Sequence, residues 1–327
     1  MDKLILHIGR HKSGTTAIQR FLYSNPKLLS DHGISYPSSG LRSFGHHELA
    51  TPLAKGALAA SRQNPVSITN KLREQLIDKM SPSSPVTVIS SEAFQNCDPK
   101  NIRLVFPQPE VEVVVYIREQ TSYLLSAYAQ KVQATNYHGT LEELFKATSK
   151  TTYKEFLDAW SKAFDGKLRV KTYDRNELVS KNVVVDFCQS FLGISPEIVK
   201  EAYHKVDANP SLSGELVDFK VLVNRHQSLS DDNSRALFTA LSKLAQTDTS
   251  GSVQITDELA QKVADRYRKS NAYVAKKYFQ RKALFQPYQQ SSDKQIQPAS
   301  KNRLRQIRDL VIEKEPTLAD CLKSLPL

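Results

Sequence analysis

The chain has 327 residues, 40% hydrophobic and 24% charged, with 11 Gly and 15 Pro. This composition excludes a disordered, fibrous or repeat protein and allows a large core, alone or with an appendage. Lys and Arg number 45 against 34 Asp and Glu, and thirteen basic and two acidic residues between Lys262 and Arg308 carry the whole net charge of +11.

No run approaches the roughly 18 apolar residues of a membrane span. The start lacks the basic, long apolar and small-residue layout of a signal peptide, so a soluble, cytoplasmic protein is expected. Cys97, Cys188 and Cys321 are odd in number and far apart, which fits neither a disulfide framework nor a zinc site.

In chain order, Lys3 to Ile8 is a short β-compatible run ending at Gly9. Ala17, Ile18, Phe21 and Leu22 then recur at helical spacing until Asn25-Pro26. Ile34 to Tyr36 predicts a short strand, and two helical stretches follow between His46 and Met80. Val86 to Ser90, Val111 to Ile117 and Leu168 to Tyr173 predict three more strands, with helical segments between them. The expected fold is therefore α/β, a mostly parallel sheet flanked by helices, over residues 1–215. Beyond Ser213 strand signals fade, so residues 216–327 are expected to form a helical, basic extension packed on that core. There Leu259, Val263, Tyr267, Val274 and Tyr278 form an apolar stripe, Gln286 to Ser300 reads as a linker, and Asn302 to Lys314 as a last helix.

The sharpest local signal is His7-Ile8-Gly9-Arg10-His11-Lys12-Ser13-Gly14-Thr15-Thr16. A strand enters a Gly-bracketed loop that leads into a helix, so backbone N–H groups and the positive helix end converge on one point. Lys12 adds a mobile charge and the hydroxyls add donors, which makes a cradle for phosphate or sulfate. A nucleoside triphosphatase would need Lys directly after the second Gly and a strand-end Asp for magnesium. Here Thr15 follows Gly14, and the other strong strands end in Ser90-Ser91-Glu92 and Arg118-Glu119.

Lys12-Ser13-Gly14-Thr15-Thr16 after a strand resembles the 5′-phosphosulfate loop of the sulfotransferases that use 3′-phosphoadenosine 5′-phosphosulfate (PAPS). Val113 to Arg118, followed by Ser126-Ala127-Tyr128, resembles that family's 3′-phosphate element. Softer likenesses to bacterial carbohydrate-type members lie in Lys171 to Arg175, Asp186-Phe187, Leu192 to Ile194 and Asn209 to Ser213. The resemblance spans roughly Leu4 to Asn224 and implies a P-loop-like three-layer sandwich with PAPS as co-substrate and adenosine 3′,5′-bisphosphate as product. It implies that Arg10, Lys12, Ser13, Gly14, Thr15 and Thr16 hold the phosphosulfate and that Arg118 and Ser126 hold the 3′-phosphate. A planar Arg fork suits a phosphate independently of any resemblance, against the plainer reading of an ion pair with Glu119 or Glu92.

Sulfuryl transfer to a hydroxyl needs charge neutralisation, an in-line acceptor and a base. Lys12 and the loop amides serve the first need. For the base two places compete: Glu92, at the end of the Val86–Ser90 run, and His47 of the His46-His47 pair, whose imidazole suits working pH. No His, Asp or Glu cluster has metal-ligand spacing, so no metal is expected. The acceptor is read as a neutral or anionic glycan or glycolipid, with specificity in residues 40–67 and 130–152. Tyr36, Tyr128, Tyr137 and Trp160 are available as sugar platforms, or equally as core. The basic segment is read as a contact for an anionic surface or as a solvated helical face, and nucleic acid is not the expected partner. The alternative to an enzyme is a non-catalytic nucleotide- or polyanion-binding protein on the same scaffold.

Overall fold

Five apolar runs form five strands: β1 (Lys3–His7), β2 (Ile34–Ser35), β3 (Val86–Ser90), β4 (Val111–Ile117) and β5 (Leu168–Thr172). The computed structural model describes residues 3–77, 84–108, 110–148, 151–203, 212–248, 251, 253–288 and 298–327. The sheet order is β2-β3-β1-β4-β5 and every pairing is parallel. Both faces are therefore covered, as a parallel sheet requires. Leu4, Leu6, Val113, Val115 and Ile117 pack on one face with Ile102, Phe156 and Trp160. Ile5, Val88, Val114 and Tyr116 pack on the other with Ile18, Phe21, Val184 and Phe187. The alternation of strand side chains thus divides one run, Val111–Ile117, between two cores.

The central strand β1 sits between β3 and β4. From β1 the chain leaves for the β3 side, and from β4 it leaves for β5 on the far side. The carboxyl ends of β1 and β4 thus form the topological switch point, where open α/β sheets bind ligands. Helix α1 (Thr15–Ser24) starts directly after the β1 loop.

In the stretch where two helical segments were expected, the described residues form α-helices His47–Ala50, Lys55–Ser61 and Pro65–Leu72, with a 3-10 turn at Thr51–Leu53 and a π-helical turn at Arg73–Ile77. After Ser213 the described residues form helices and no strand, including Gly214–His226, Asp231–Leu244, Asp257–Phe279 and Lys301–Lys314. Asn209, Pro210 and Ser211 lie outside the described residues, as does most of the expected linker.

The chain divides into two compact units that interleave along the sequence. The first holds Met1–Glu119, Thr151–Lys205 and Lys269–Phe285, and contains the whole sheet. The second holds Gln120–Lys150, Val206–Arg268 and Gln286–Leu327, and is helical. In the second unit Leu216, Phe219, Leu237, Leu241, Ile307 and Val311 form the main core, with a smaller cluster of Leu124, Phe145, Leu259 and Val263. The apolar stripe of Asp257–Phe279 is accordingly shared out: Leu259, Val263 and Tyr267 belong to the second unit's cluster, and Val274 to the first unit's core. Among the described residues no helix is long and apolar enough to cross a membrane.

The motif from Lys171 to Asp186 serves the fold of the first unit. Asp186 is fully buried and accepts from the Tyr116 hydroxyl at 2.5 Å, Lys171 Nζ at 2.8 Å and the Val179 amide at 3.0 Å. A buried carboxylate is tolerable only when paired and hydrogen-bonded in this way.

Candidate functional site

The loop between β1 and α1 is built from unusual backbone. Gly9, Lys12 and Gly14 have φ of 44°, 64° and 80°. Glycine adopts this left-handed region freely, whereas lysine does so at a cost of about 1 kcal/mol or more. A Cβ on Gly14 would lie 2.7 Å from Val183 Cγ1 and 2.9 Å from Tyr173 Cε2, so the loop is pressed onto those two residues. Helix α1 starts at Gly14 with no capping side chain, which leaves its first amides open to a ligand.

The expected hydroxyl donors are placed differently. Ser13 Oγ donates to the Arg10 carbonyl at 2.5 Å and Thr15 Oγ1 to the same carbonyl at 3.2 Å, while Thr16 is exposed. Ser13 and Thr15 therefore close the loop on itself. The Arg10 guanidinium lies over Tyr153 and Phe156, 5.3 and 4.9 Å from the ring centres, with its buried Nε unpartnered among the described residues.

Lys12 is half-buried and has no ion pair among the described residues. Its pKa is lowered first by burial and then by the charge of Arg118. Arg118, the residue after β4, donates from its guanidinium to the Lys12 carbonyl at 2.9 Å and lies over the Tyr173 ring at 5.5 Å. Tyr153 fixes the Arg118 backbone, accepting from its amide at 3.2 Å and donating to its carbonyl at 2.6 Å. Glu92, one of the partners the sequence offered to Arg118, is engaged elsewhere.

Both base candidates meet at the end of β3. Glu92 Oε2 accepts from Gln19 Nε2 at 3.0 Å, and Glu92 Oε1 lies 3.9 Å from His47 Nε2. His47 Nδ1 is 2.8 Å from Ser91 Oγ, which also accepts the Ala93 amide at 3.2 Å. Ser91 can donate to Nδ1 or accept from it, so it orients the ring in either tautomer. A Cβ on Gly9 would come to 3.0 Å from Glu92 Cα, so a side chain at this position of the loop would meet Glu92.

His46 is separated from this chemistry by its hydrogen bonds. Its Nδ1 accepts the Ser90 amide at 3.2 Å and its Nε2 donates to the Pro37 carbonyl at 2.8 Å. That neutral tautomer is fully satisfied, and burial holds its pKa down to about 4. His46 pins the segment to β3, and His47 is thereby placed on Ser91. His7 is likewise a buried neutral imidazole, 2.9 Å from Ser90 Oγ, with its pKa pushed down to about 4 by burial.

Sequence reasoning did not find Gln19, Ser91, Gly45, Tyr153 or Tyr173. Gly45 carried a readable signal, since it lies between Phe44 and the His pair. A Cβ there would lie 2.8 Å from His47 Nε2 and 2.9 Å from Gln19 Cδ, so only glycine leaves the base pair in place. Ser126 lies in the second unit, half-buried on the helix Gln120–Ala134. Of the candidate sugar platforms, Trp160 is 1% and Tyr128 8% exposed, and both are core. Tyr36 donates its hydroxyl to the Phe44 carbonyl at 2.7 Å.

Several cations of the basic segment are paired while remaining at the surface. Lys277 meets Asp158 at 2.8 Å and Arg281 meets Glu177 at 3.0 Å, both within the first unit. Lys262 meets Glu258 at 2.7 Å and Arg303 meets Glu215 at 2.7 Å within the second. Asp158, Glu177 and Glu215 reach these cations from distant parts of the sequence, and Glu258 from one helical turn away.

Among the described residues no three His, Cys, Asp or Glu side chains cluster as a metal site would require. Comparison of the chain with protein-family models and with curated protein sequences finds no match.

Proposed function

We propose that the chain is a sulfotransferase that moves the sulfuryl group of PAPS to a hydroxyl of a carbohydrate or glycolipid. The observation that carries this reading is the makeup of a single loop. Gly9 leaves no room for a side chain beside Glu92, and three residues later Lys12, without an ion pair among the described residues, receives Arg118 on its carbonyl. We take these cationic groups to serve a leaving phosphate and the nearby carboxylate–imidazole pair to serve an acceptor hydroxyl. The reading takes the sheet as a P-loop-like sandwich with its ligand at the β1/β4 switch point.

The donor set fits the co-substrate. Open amides at the start of α1 and the Lys12 ammonium suit the phosphosulfate, and the unused N–H groups of the Arg118 fork suit a second phosphate. PAPS, when bound, supplies the activated sulfuryl group. The chain's own residues do the rest. Lys12 neutralises charge that grows on the leaving phosphate, in a half-buried setting where that charge is poorly screened. Glu92, oriented by Gln19, or His47, oriented by Ser91, removes the acceptor proton.

The test is transfer of labelled sulfate from PAPS to a panel of neutral and acidic glycans and glycolipids. The proposal expects sulfated product from at least one acceptor class, and loss of that product in both Lys12→Ala and the double variant Glu92→Gln/His47→Gln. Tight binding of adenosine 3′,5′-bisphosphate with no transfer to any acceptor would instead support a nucleotide-binding protein without transferase activity.

A further inference from the structure

Helix α1 and the segment Phe44–His47 each carry one residue of the base pair's support and one aromatic ring. On α1, Gln19 holds Glu92, and Tyr23 follows four positions later on the same helical face. On the segment, His47 is a base candidate, and Phe44 precedes it by three residues. The two rings meet: Tyr23 and Phe44 are 5.4 Å apart between centroids at 68°, edge to face. The Arg20 guanidinium lies over the Phe44 ring at 5.1 Å. The Phe44 backbone is in turn fixed by the Tyr36 hydroxyl.

An edge-to-face pair is ordinary packing when buried. Tyr23, however, is 50% exposed, the most exposed of the large hydrophobic side chains among the described residues. Its ring is held by Phe44, and its exposed surface has no apolar cover. A rigid, exposed aromatic with a polar tip suits a ligand that offers C–H groups on one face and hydroxyls at its edge. A pyranose ring has that chemistry.

We infer that Tyr23, held by Phe44, is a stacking platform for a sugar ring of the acceptor. The inference rests on the sulfotransferase reading and deepens it. Side chains four apart on a helix are about 5–6 Å apart at Cβ, so the platform lies about one turn of α1 beyond Gln19. The ring on Tyr23 is therefore a neighbour of the one whose hydroxyl meets the Glu92–His47 pair, and the acceptor is an oligosaccharide or a glycolipid with at least two sugars.

Two measurements on the full chain test this, with Tyr23→Ala and Tyr23→Phe as variants. In sulfate transfer from PAPS to methyl glycosides and their di- to tetrasaccharides, Tyr23→Ala should raise KM for the oligomers about tenfold. It should leave kcat and adenosine 3′,5′-bisphosphate affinity close to wild type, and Tyr23→Phe should restore most of the loss. An unchanged oligomer KM in Tyr23→Ala overturns the platform. In parallel, retention on an immobilised array of neutral and acidic oligosaccharides is read without nucleotide. Retention that is lost in Tyr23→Ala, in a protein that binds no bisphosphate, supports the platform and overturns the transferase reading. No retention of wild type, or equal retention of the variant, with no oligomer effect in transfer, overturns the platform alone.

Discussion

Arg118 donates a hydrogen bond from its guanidinium to the carbonyl of Lys12 at 2.9 Å, across 106 positions of sequence. The contact joins the loop after β1 to the end of β4 and brings two cations to one point. Burial and the Arg118 charge both depress the Lys12 pKa.

Lys12 combines a charge with a left-handed backbone, and two substitutions separate them. Lys12→Ala and Lys12→Gly should both lower kcat by two to three orders of magnitude, about 3–4 kcal/mol of transition-state stabilisation. Lys12→Gly relieves the φ of 64° and should be more stable than Lys12→Ala by about 1 kcal/mol. Denaturant titration of the two variants checks the second point. Equal stability would mean that the loop relaxes when the lysine is gone.

Gly9→Ala places a methyl carbon 3.0 Å from Glu92 Cα at a φ of 44°. Backbone cannot give way as a flexible side-chain end does, so Glu92 should be displaced from Gln19 and His47. Transfer activity should fall at least tenfold, with bisphosphate affinity reduced much less. Kinetics and calorimetry on the same preparation decide this, and parallel losses in both would argue that the whole loop collapses.

His46 should show itself in the pH dependence of stability. His46 has a folded pKa of about 4 against an ordinary value of 6.5, because burial disfavours its charged form. The unfolded chain therefore binds the proton first as pH falls. His46 contributes stability that is present above pH about 6.5 and is lost as pH falls through about 4, and the buried His7 acts in the same sense. His46→Gln should lose less stability than wild type between pH 7 and 4.5, in denaturant titrations at each pH. Identical pH dependence in wild type and His46→Gln would contradict the assignment of the buried neutral imidazole.

The sheet was legible because its strands are short continuous apolar runs; the expected β3 and β4 have the observed bounds. The loop was legible as a strand-to-helix connection because Gly9 and Gly14 bracket it between an apolar run and a helical pattern. What could not be read was which side chains face each other. Glu92 and His47 were rival bases in the sequence, and only the fold, through Ser91, makes them neighbours. The His pair offers no local clue that His46 turns inward to Ser90 and Pro37 while His47 does not. Tyr23 and Phe44 are unremarkable until α1 and the segment before His47 are brought together. The partners of Lys277 and Arg281 could not be read either, since Asp158 and Glu177 lie far from the basic segment in the chain.

The measurement that bears most directly on the account is the affinity for adenosine 3′,5′-bisphosphate against adenosine 5′-phosphate, taken by calorimetry on wild type and Arg118→Ala. Arg118 offers a charge-assisted fork worth about 1.5–3 kcal/mol to a second phosphate. Wild type should prefer the bisphosphate at least tenfold, and Arg118→Ala should bind both nucleotides with similar affinity. Equal affinities in wild type, or a preference untouched by Arg118→Ala, would contradict the assignment of this loop and strand end to PAPS.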